Sequence, residues 1–170
     1  MKYSFGTDEY INDILNKYAA ALIKIAFTYL KSIPDAEDIV QEVYLSLMKR
    51  GQGFETDEHE KAWLIRVTIN KCKNHLRSAW IRHQAVLEDE LSDQSMDSLV
   101  TQEENEVLTE VLGLPMKYRT VIHLYYYENY SIEEIAGILK RSTGTIGTWL
   151  SRGRKQLKAR LNGGFEYEAR

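Results

Sequence analysis

Residues 131–161 read SIEEIAGILKRSTGTIGTWLSRGRKQLKARL, and the spacing of polar and apolar positions there decides the fold class. Ser131 followed by Glu134 is a capping-box pattern: the serine oxygen accepts from a free backbone amide, and the glutamate returns to the serine's own amide. A helix begins there, with Ile132, Ile135, Ala136 and Leu139 as its apolar stripe and Ala136 small enough to admit a neighbouring helix. Residues 141–144 read as a turn, in which Ser142 or Thr143 caps the next helix. In that second helix Ile146, Leu150, Leu157 and Leu161 share one face with Gly153, while Thr145, Thr148, Arg152 and Lys155 project on the other. A helix-turn-helix of this form suits the major groove of DNA. Hydroxyls can meet base edges, arginine can give two hydrogen bonds to guanine, and flanking cations can hold phosphates. The plainer reading is a structural helix with a solvated basic face; the coincidence of cap, short turn, small residue and basic face favours the DNA reader.

Outward from this motif the same three- and four-residue apolar spacing runs through most of the chain, without alternating β-branched runs, so an all-α protein is expected. Pro34 separates a helix over about 11–30 from one opening at Asp35, and Pro115 marks the start of another. Gly51 and Gly53 end the second helix, a loop runs to about Glu60, and a third helix covers 60 to about 83. Residues 87–101 are acidic, rich in Ser and Asp, and carry too little apolar surface to offset the entropy of ordering them. The expected organisation is two small helical domains, 1–86 and 103–162, joined by an acidic linker, 87–102, with a short tail, 163–170.

The formal net charge of −3 argues against nucleic acid only until the charges are placed along the chain. From 61 to 86 every charge is positive (Lys61, Arg66, Lys71, Lys73, Arg77, Arg82), and from 139 to 162 the same holds (Lys140, Arg141, Arg152, Arg154, Lys155, Lys158, Arg160). Residues 87–112 carry only acids. The near-neutral total is a cancellation between two blocks suited to phosphates and one that is not. No run approaches the roughly 20 apolar residues that span a bilayer, and residues 1–10 lack an apolar leader core, so no membrane insertion and a cytoplasmic location are expected. Cys72, the single cysteine, cannot form an internal disulfide.

In the N-terminal half, 35–50 read DAEDIVQEVYLSLMKR, which places Ala36, Ile39, Val40, Val43, Leu47 and Met48 on a packing face with Asp38, Gln41 and Glu42 outside it. Residues 60–77 read EKAWLIRVTINKCKNHLR, where Trp63, Val67 and Leu76 interleave with Arg66, Lys71, Lys73 and Arg77. Cations that track a backbone and aromatics that stack on unpaired bases suit single-stranded DNA. Trp63 alone reads equally well as an ordinary core residue.

Four segments carry a family resemblance: DAEDIVQEVYLSL (35–47), AWLIRVTINKCKNHLR (62–77), LPMKYRTVIHLYYYENYSIEEIAGIL (114–139) and GTIGTWLSRGRKQLKARL (144–161). In this order around an acidic linker they resemble the bacterial sigma factors of the extracytoplasmic-function group. The resemblance implies that the second helix grips core RNA polymerase through Asp38, Gln41 and Glu42. It implies that loop 51–59 and the helix bearing Trp63, Arg66, Asn70, Lys71, Lys73 and Arg77 recognise and open the minus-ten promoter element, the loop capturing a base turned out of its strand. Asn70 and Arg77 match the asparagine of the family's WLxxIARN run and its closing arginine. Residues 114–128 resemble the helix that meets the polymerase flap. The helix-turn-helix then reads the minus-thirty-five element with Arg141, Ser142, Thr143, Thr145, Thr148, Arg152 and Lys155. An anti-sigma protein is an expected partner, and the linker is expected to enter the polymerase's basic interior. Three positions depart from the family pattern: Asn74 where aspartate is common, Gly147 where a basic residue is common, and Trp149 in place of a frequent arginine. Trp149 reads as packing on the flank of its helix.

Two other classes fit the sequence less well. An enzyme needs a clustered nucleophile, an acid–base pair or metal ligands. Cys72 and His75 stand three apart, but no second pair with zinc-site spacing accompanies them, so no metal, cofactor or small-molecule substrate is expected. A stand-alone helix-turn-helix regulator with an N-terminal sensing or dimerisation domain shares the DNA reader and differs in binding its duplex without polymerase. Tyr125, Tyr126 and Tyr127 offer that sensor no pocket, because three consecutive helical positions cannot share one face.

Overall fold

The computed structural model describes residues 5–82 and 102–161, all of whose regular elements are helices. The chain divides into two compact units, Met1–Gln94 and Ser95–Arg170. The expected linker and tail lie outside the described residues, except Gln102, which opens the fourth helix.

The N-terminal unit contains α1 (Asp8–Leu30), α2 (Ile33–Lys49) and α3 (Asp57–Arg82), with α1 packed against both of the others. Thr7 caps α1, its oxygen accepting from the Tyr10 amide at 3.2 Å, and Lys31 ends it in the left-handed region at φ 54°. Both following helices begin earlier than expected. Ser32 caps α2, so Pro34 falls within the first turn, where its missing N–H leaves no intrahelical bond unmade. Thr56 accepts from the His59 amide at 3.1 Å, so α3 opens at Asp57 with Asp57, Glu58 and Glu60 in its first turn. Acidic side chains at that end meet the positive end of the helix dipole.

The core joins Ile14, Leu22 and Ile25 of α1 to Ile39, Val43 and Leu47 of α2 and to Leu64, Ile65 and Ile69 of α3. Tyr44, not Met48, completes the buried side of α2; Met48 is 48% and Leu45 51% exposed. Cys72 and Tyr44 are also buried, and desolvation pushes the Cys72 thiol and the Tyr44 phenol each up to about 12.

The C-terminal unit contains α4 (Gln102–Leu112), α5 (Met116–Ile122), a π turn (His123–Tyr127), α6 (Ile132–Leu139) and α7 (Thr143–Arg160). Pro115 precedes α5, and the Glu128 amide closes the π turn on the His123 carbonyl at 3.3 Å. Both halves of the Ser131–Glu134 capping box are present, at 2.8 and 3.1 Å. Ile138 joins Ile135 and Ala136 in the core, whereas Ile132 and Leu139 are only half-buried. The turn into α7 is shorter than 141–144: Lys140 adopts φ 53°, Ser142 caps, and α7 starts at Thr143. Ile146, Leu150, Gly153 and Leu157 form the buried side of α7. At Gly153 a Cβ would stand 3.2 Å from Tyr118 Cβ and 2.9 Å from Ile122 Cδ1, so α5 and α7 approach at a distance that only glycine permits without displacement.

Gly153→Leu is expected to destabilise the C-terminal unit by about 1–3 kcal/mol through overpacking. The check is a lowered melting temperature in signals from that unit, with the N-terminal core unaffected. The N-terminal unit should also lose stability in alkali. Unfolded Cys72 and Tyr44 ionise near their ordinary values of 9.0 and 10.0, while the folded groups stay neutral to about 12. Their contribution is therefore complete below about pH 9 and lost as pH climbs toward 12. Melting temperatures between pH 8 and 11 test this, and a flat profile would contradict it.

Candidate nucleic-acid interface

Two exposed cationic faces, one in each unit, are the candidate sites. On α7 the buried side is opposed by Thr148, Arg152 and Lys155, all exposed, and Arg141, Ser142 and Thr143 are exposed at its start. Thr145 is half-buried: its amide donates to Ser142 Oγ at 3.1 Å, and the two hydroxyls lie 2.9 Å apart. Those two side chains are joined in the cap, which fixes the helix entry. Gly147 borders open space: a Cβ at this position would meet no heavy atom within 4 Å, so this part of the surface has low relief.

Not every cation in the basic block faces outward. Arg154 is half-buried, donates from Nε to the Tyr126 hydroxyl at 2.6 Å and lies over the Tyr125 ring at 5.3 Å. Arg160 donates to the Gly113 carbonyl at 2.8 Å and lies 3.6 Å from Glu110. Both hold α7 to its own unit. The π turn explains the three tyrosines: Tyr127 stacks on His123 at 5.1 Å, while Tyr125 and Tyr126 meet edge to face beside Arg154.

In the N-terminal unit Leu64, Ile65, Thr68, Ile69 and Cys72 are sealed, which turns Asn70, Lys73 and Arg77 outward. Trp80, 66% exposed, extends that face, continuing the three- and four-residue spacing of Asn70, Lys73 and Arg77. Lys71 does not share the face. It points to α2, where its Nζ lies 3.9 Å from Glu42 Oε2, so one residue expected at DNA pairs with one expected at polymerase. Such a partly exposed pair contributes little to stability, at most about 1 kcal/mol.

At the start of α3 the loop after α2 borders an open cavity of about 600 Å³ lined by Arg50, Gln52, Phe54, His59, Trp63 and Arg66. The Phe54 and Trp63 rings are 5.6 Å apart and tilted by 54°. The Arg50 guanidinium lies 4.3 Å from the Phe54 centroid and 5.3 Å from that of Trp63, with Nε donating to the Gln52 carbonyl at 3.2 Å. Trp63 is thus half-buried in a cavity wall and is not a core residue. Arg50 and Phe54 escape sequence reasoning because loop positions have no period; a lone aromatic among polar and glycine residues is the available signal.

On α2, Asp38, Gln41 and Glu42 are exposed and share their side with Leu45 and Met48. Cys72 is fully buried, whereas His75 Nε2 lies 3.8 Å from Asp35 Oδ2, so the two do not converge as ligands. Among the described residues no group of three His, Cys, Asp or Glu side chains is placed to hold a metal.

Residues 14–82 match the family described as Sigma-70 region 2, and residues 104–157 match Sigma-70, region 4. The chain is 27% identical over 172 residues to the ECF RNA polymerase sigma factor SigW of Bacillus subtilis, covering 92% of this chain and 91% of that one. It is 31% identical over 142 residues to the RNA polymerase sigma factor SigV of the same organism, covering 81% and 82%. Its fold is that of the sigma factor RpoE in a co-crystal structure with the anti-sigma factor NepR from Bartonella quintana, with a TM-score of 0.74, 22% identity, and 92% and 98% of the two chains covered. CnrH, solved in complex with the cytosolic domain of CnrY, gives a TM-score of 0.67 at 22% identity over 93% and 91%. The region 2 match occupies the place that a stand-alone regulator would give to a sensing or dimerisation domain. With both regions present and both cationic faces on them, the chain belongs to the sigma-70 family of RNA polymerase sigma factors, in its extracytoplasmic-function group.

Proposed function

We propose that this sigma factor divides promoter recognition between its two units, with 103–162 gripping the minus-thirty-five element and 1–86 capturing and opening the minus-ten element. A sigma factor binds core RNA polymerase and directs transcription initiation from promoters; the division of residues is the new part. The observation that carries it is the aromatic and cationic cavity at the start of α3, beside the exposed Asn70–Arg77 face.

On α7, Arg152 and Thr148 meet base edges, while Arg141, Thr143 and Lys155 hold the flanking backbone, with Ser142 and Thr145 setting the angle of entry. In the other unit, Phe54 and Trp63 stack on one extruded base, and Arg50 and Arg66 balance its phosphate. Asn70, Lys73 and Arg77 track the strand leading to the cavity. Lys71 acts through Glu42 and α2. Stacking is worth about 1–3 kcal/mol per base, comparable to the few kcal/mol that extruding one base costs, so capture can select a sequence and favour opening together.

The exposed side of α2, Asp38, Gln41 and Glu42 with Leu45 and Met48, docks on core polymerase. Apolar side chains amid polar ones suit a protein partner. The protein itself catalyses no bond-making step and needs no cofactor. Its place is the cytoplasm with the polymerase; among the described residues no helix is long and apolar enough to cross a membrane. An anti-sigma protein is proposed as a further partner, supported by the complex in which RpoE was solved.

Run-off transcription with core polymerase on genomic fragments should yield new start sites only when this protein is added. Their absence would sink the promoter assignments. Arg152→Ala is expected to weaken upstream-element binding by about 1–3 kcal/mol, roughly 5- to 150-fold, with opening from a tethered complex unchanged. Asn70→Ala and Phe54→Ala should leave upstream binding intact and slow opening, read by 2-aminopurine fluorescence at the extruded position. If all three variants fail alike at duplex binding, the division of labour is wrong.

A further inference from the structure

Trp149 belongs to neither side of α7. It is half-buried, off the sealed line of Ile146, Leu150 and Leu157 and off the exposed line of Thr148, Arg152 and Lys155. Two cations from different parts of the unit lie against its ring. Lys117 Nζ, from the first turn of α5, is 6.0 Å from the centroid, and Arg141 Cζ, from the turn before α7, is 5.8 Å away. Lys117 also lies 5.1 Å from the Tyr118 ring. Both cations are exposed, and among the described residues neither forms an ion pair.

An aromatic ring attracts cations through its quadrupole but carries no net charge to neutralise them. Two like charges thus lie against one neutral ring, and among the described residues neither has an ion-pair partner. Their position identifies the anion. Arg141 immediately precedes the cap of α7, so the pair lies at the edge of the helix-turn-helix. The sugar–phosphate backbone runs there when a recognition helix enters the major groove. A guanidinium and an ammonium brought from two elements to one ring suit phosphate oxygens, and they continue the exposed cationic surface of α7.

We propose that Lys117 and Arg141 form a phosphate-binding site for the promoter backbone beside the element read by α7, with Trp149 as the residue that positions both cations. The frequent arginine of the family is thus replaced here by a ring that gathers two charges from elsewhere. The inference rests on α7 entering DNA and is independent of the minus-ten assignment.

The test is the salt dependence of holoenzyme binding to promoter duplex for the full chain with core polymerase. Each phosphate neutralised contributes about 0.9 to the slope of log K against log salt. Lys117→Gln and Arg141→Gln should each reduce that slope by about 1, with the loss similar for all duplex sequences. Trp149→Leu removes no charge, yet should also reduce the slope by about 1, and Trp149→Phe should restore it. Lys117→Gln in the Trp149→Leu background should add less than it does alone.

A Trp149→Leu protein that binds more weakly at every salt concentration with an unchanged slope would make the tryptophan a packing residue and overturn the positioning role. Lys117→Gln alters an exposed side chain and leaves the packing intact. An unchanged slope for that variant, or a loss of core polymerase affinity in its place, overturns the site itself. If Arg152→Ala also leaves upstream binding unaltered, the failure lies with α7 as the reader.

Discussion

The rotation of α3 about its own axis is the constraint on which the N-terminal unit's function depends. Leu64, Ile65, Thr68, Ile69 and Cys72 are sealed against α1 and α2, and a helix held along that line cannot turn without exposing them. Burying each large aliphatic side chain stabilises by about 1.5–3 kcal/mol, so rotation would cost more than any contact on the outer face could return. Asn70, Lys73 and Arg77 are thereby held outward, and Trp63 is held at the wall of the cavity. The core thus sets the direction of the groups proposed to meet DNA.

The same logic governs α7, with a backbone approach in place of a wide apolar stripe. Gly153 lets α7 settle against Tyr118 and Ile122, and Arg154 and Arg160 then tie its flanks to Tyr126 and Gly113. Two of the cations counted in the basic block therefore serve the fold. A phosphate count taken from the block overstates the contacts available to DNA, and the salt slope should be correspondingly shallower. This tightens the case for Arg141 and Lys117, since the helix has fewer free cations than its composition suggests.

Features set by local chemistry were legible in the sequence. Ser131 with Glu134, Ser142 before α7, Pro115 before α5 and the glycine on the buried side of α7 all carry their meaning within a few residues. Apolar content on α2 misled, because the helix bears more apolar residues than one face can bury. Tyr44 went inside and Met48 out, and only packing could decide between them. Lys71 is a different case: its sign suggests DNA, and only the packing of α3 on α2 shows that it lies 3.9 Å from Glu42. The cavity was beyond reach because Arg50, Phe54 and Trp63 meet through the conformation of a loop, where no periodicity constrains the chain.

A binding surface divided between two units also sets how strongly either half should bind. The exposed face of α7 offers few cations and a stretch of low relief at Gly147, which points to modest affinity for duplex alone. The cavity offers stacking for about one base, enough to offset extruding it but with little surplus. Tethering by the same polymerase changes this balance, because the second contact becomes intramolecular once the first is made, and its effective concentration replaces bulk concentration. Weak halves then act as a filter. On the proposed division of recognition, a site that satisfies only one unit would release the protein before the strand opens, while one that satisfies both would hold it long enough for opening.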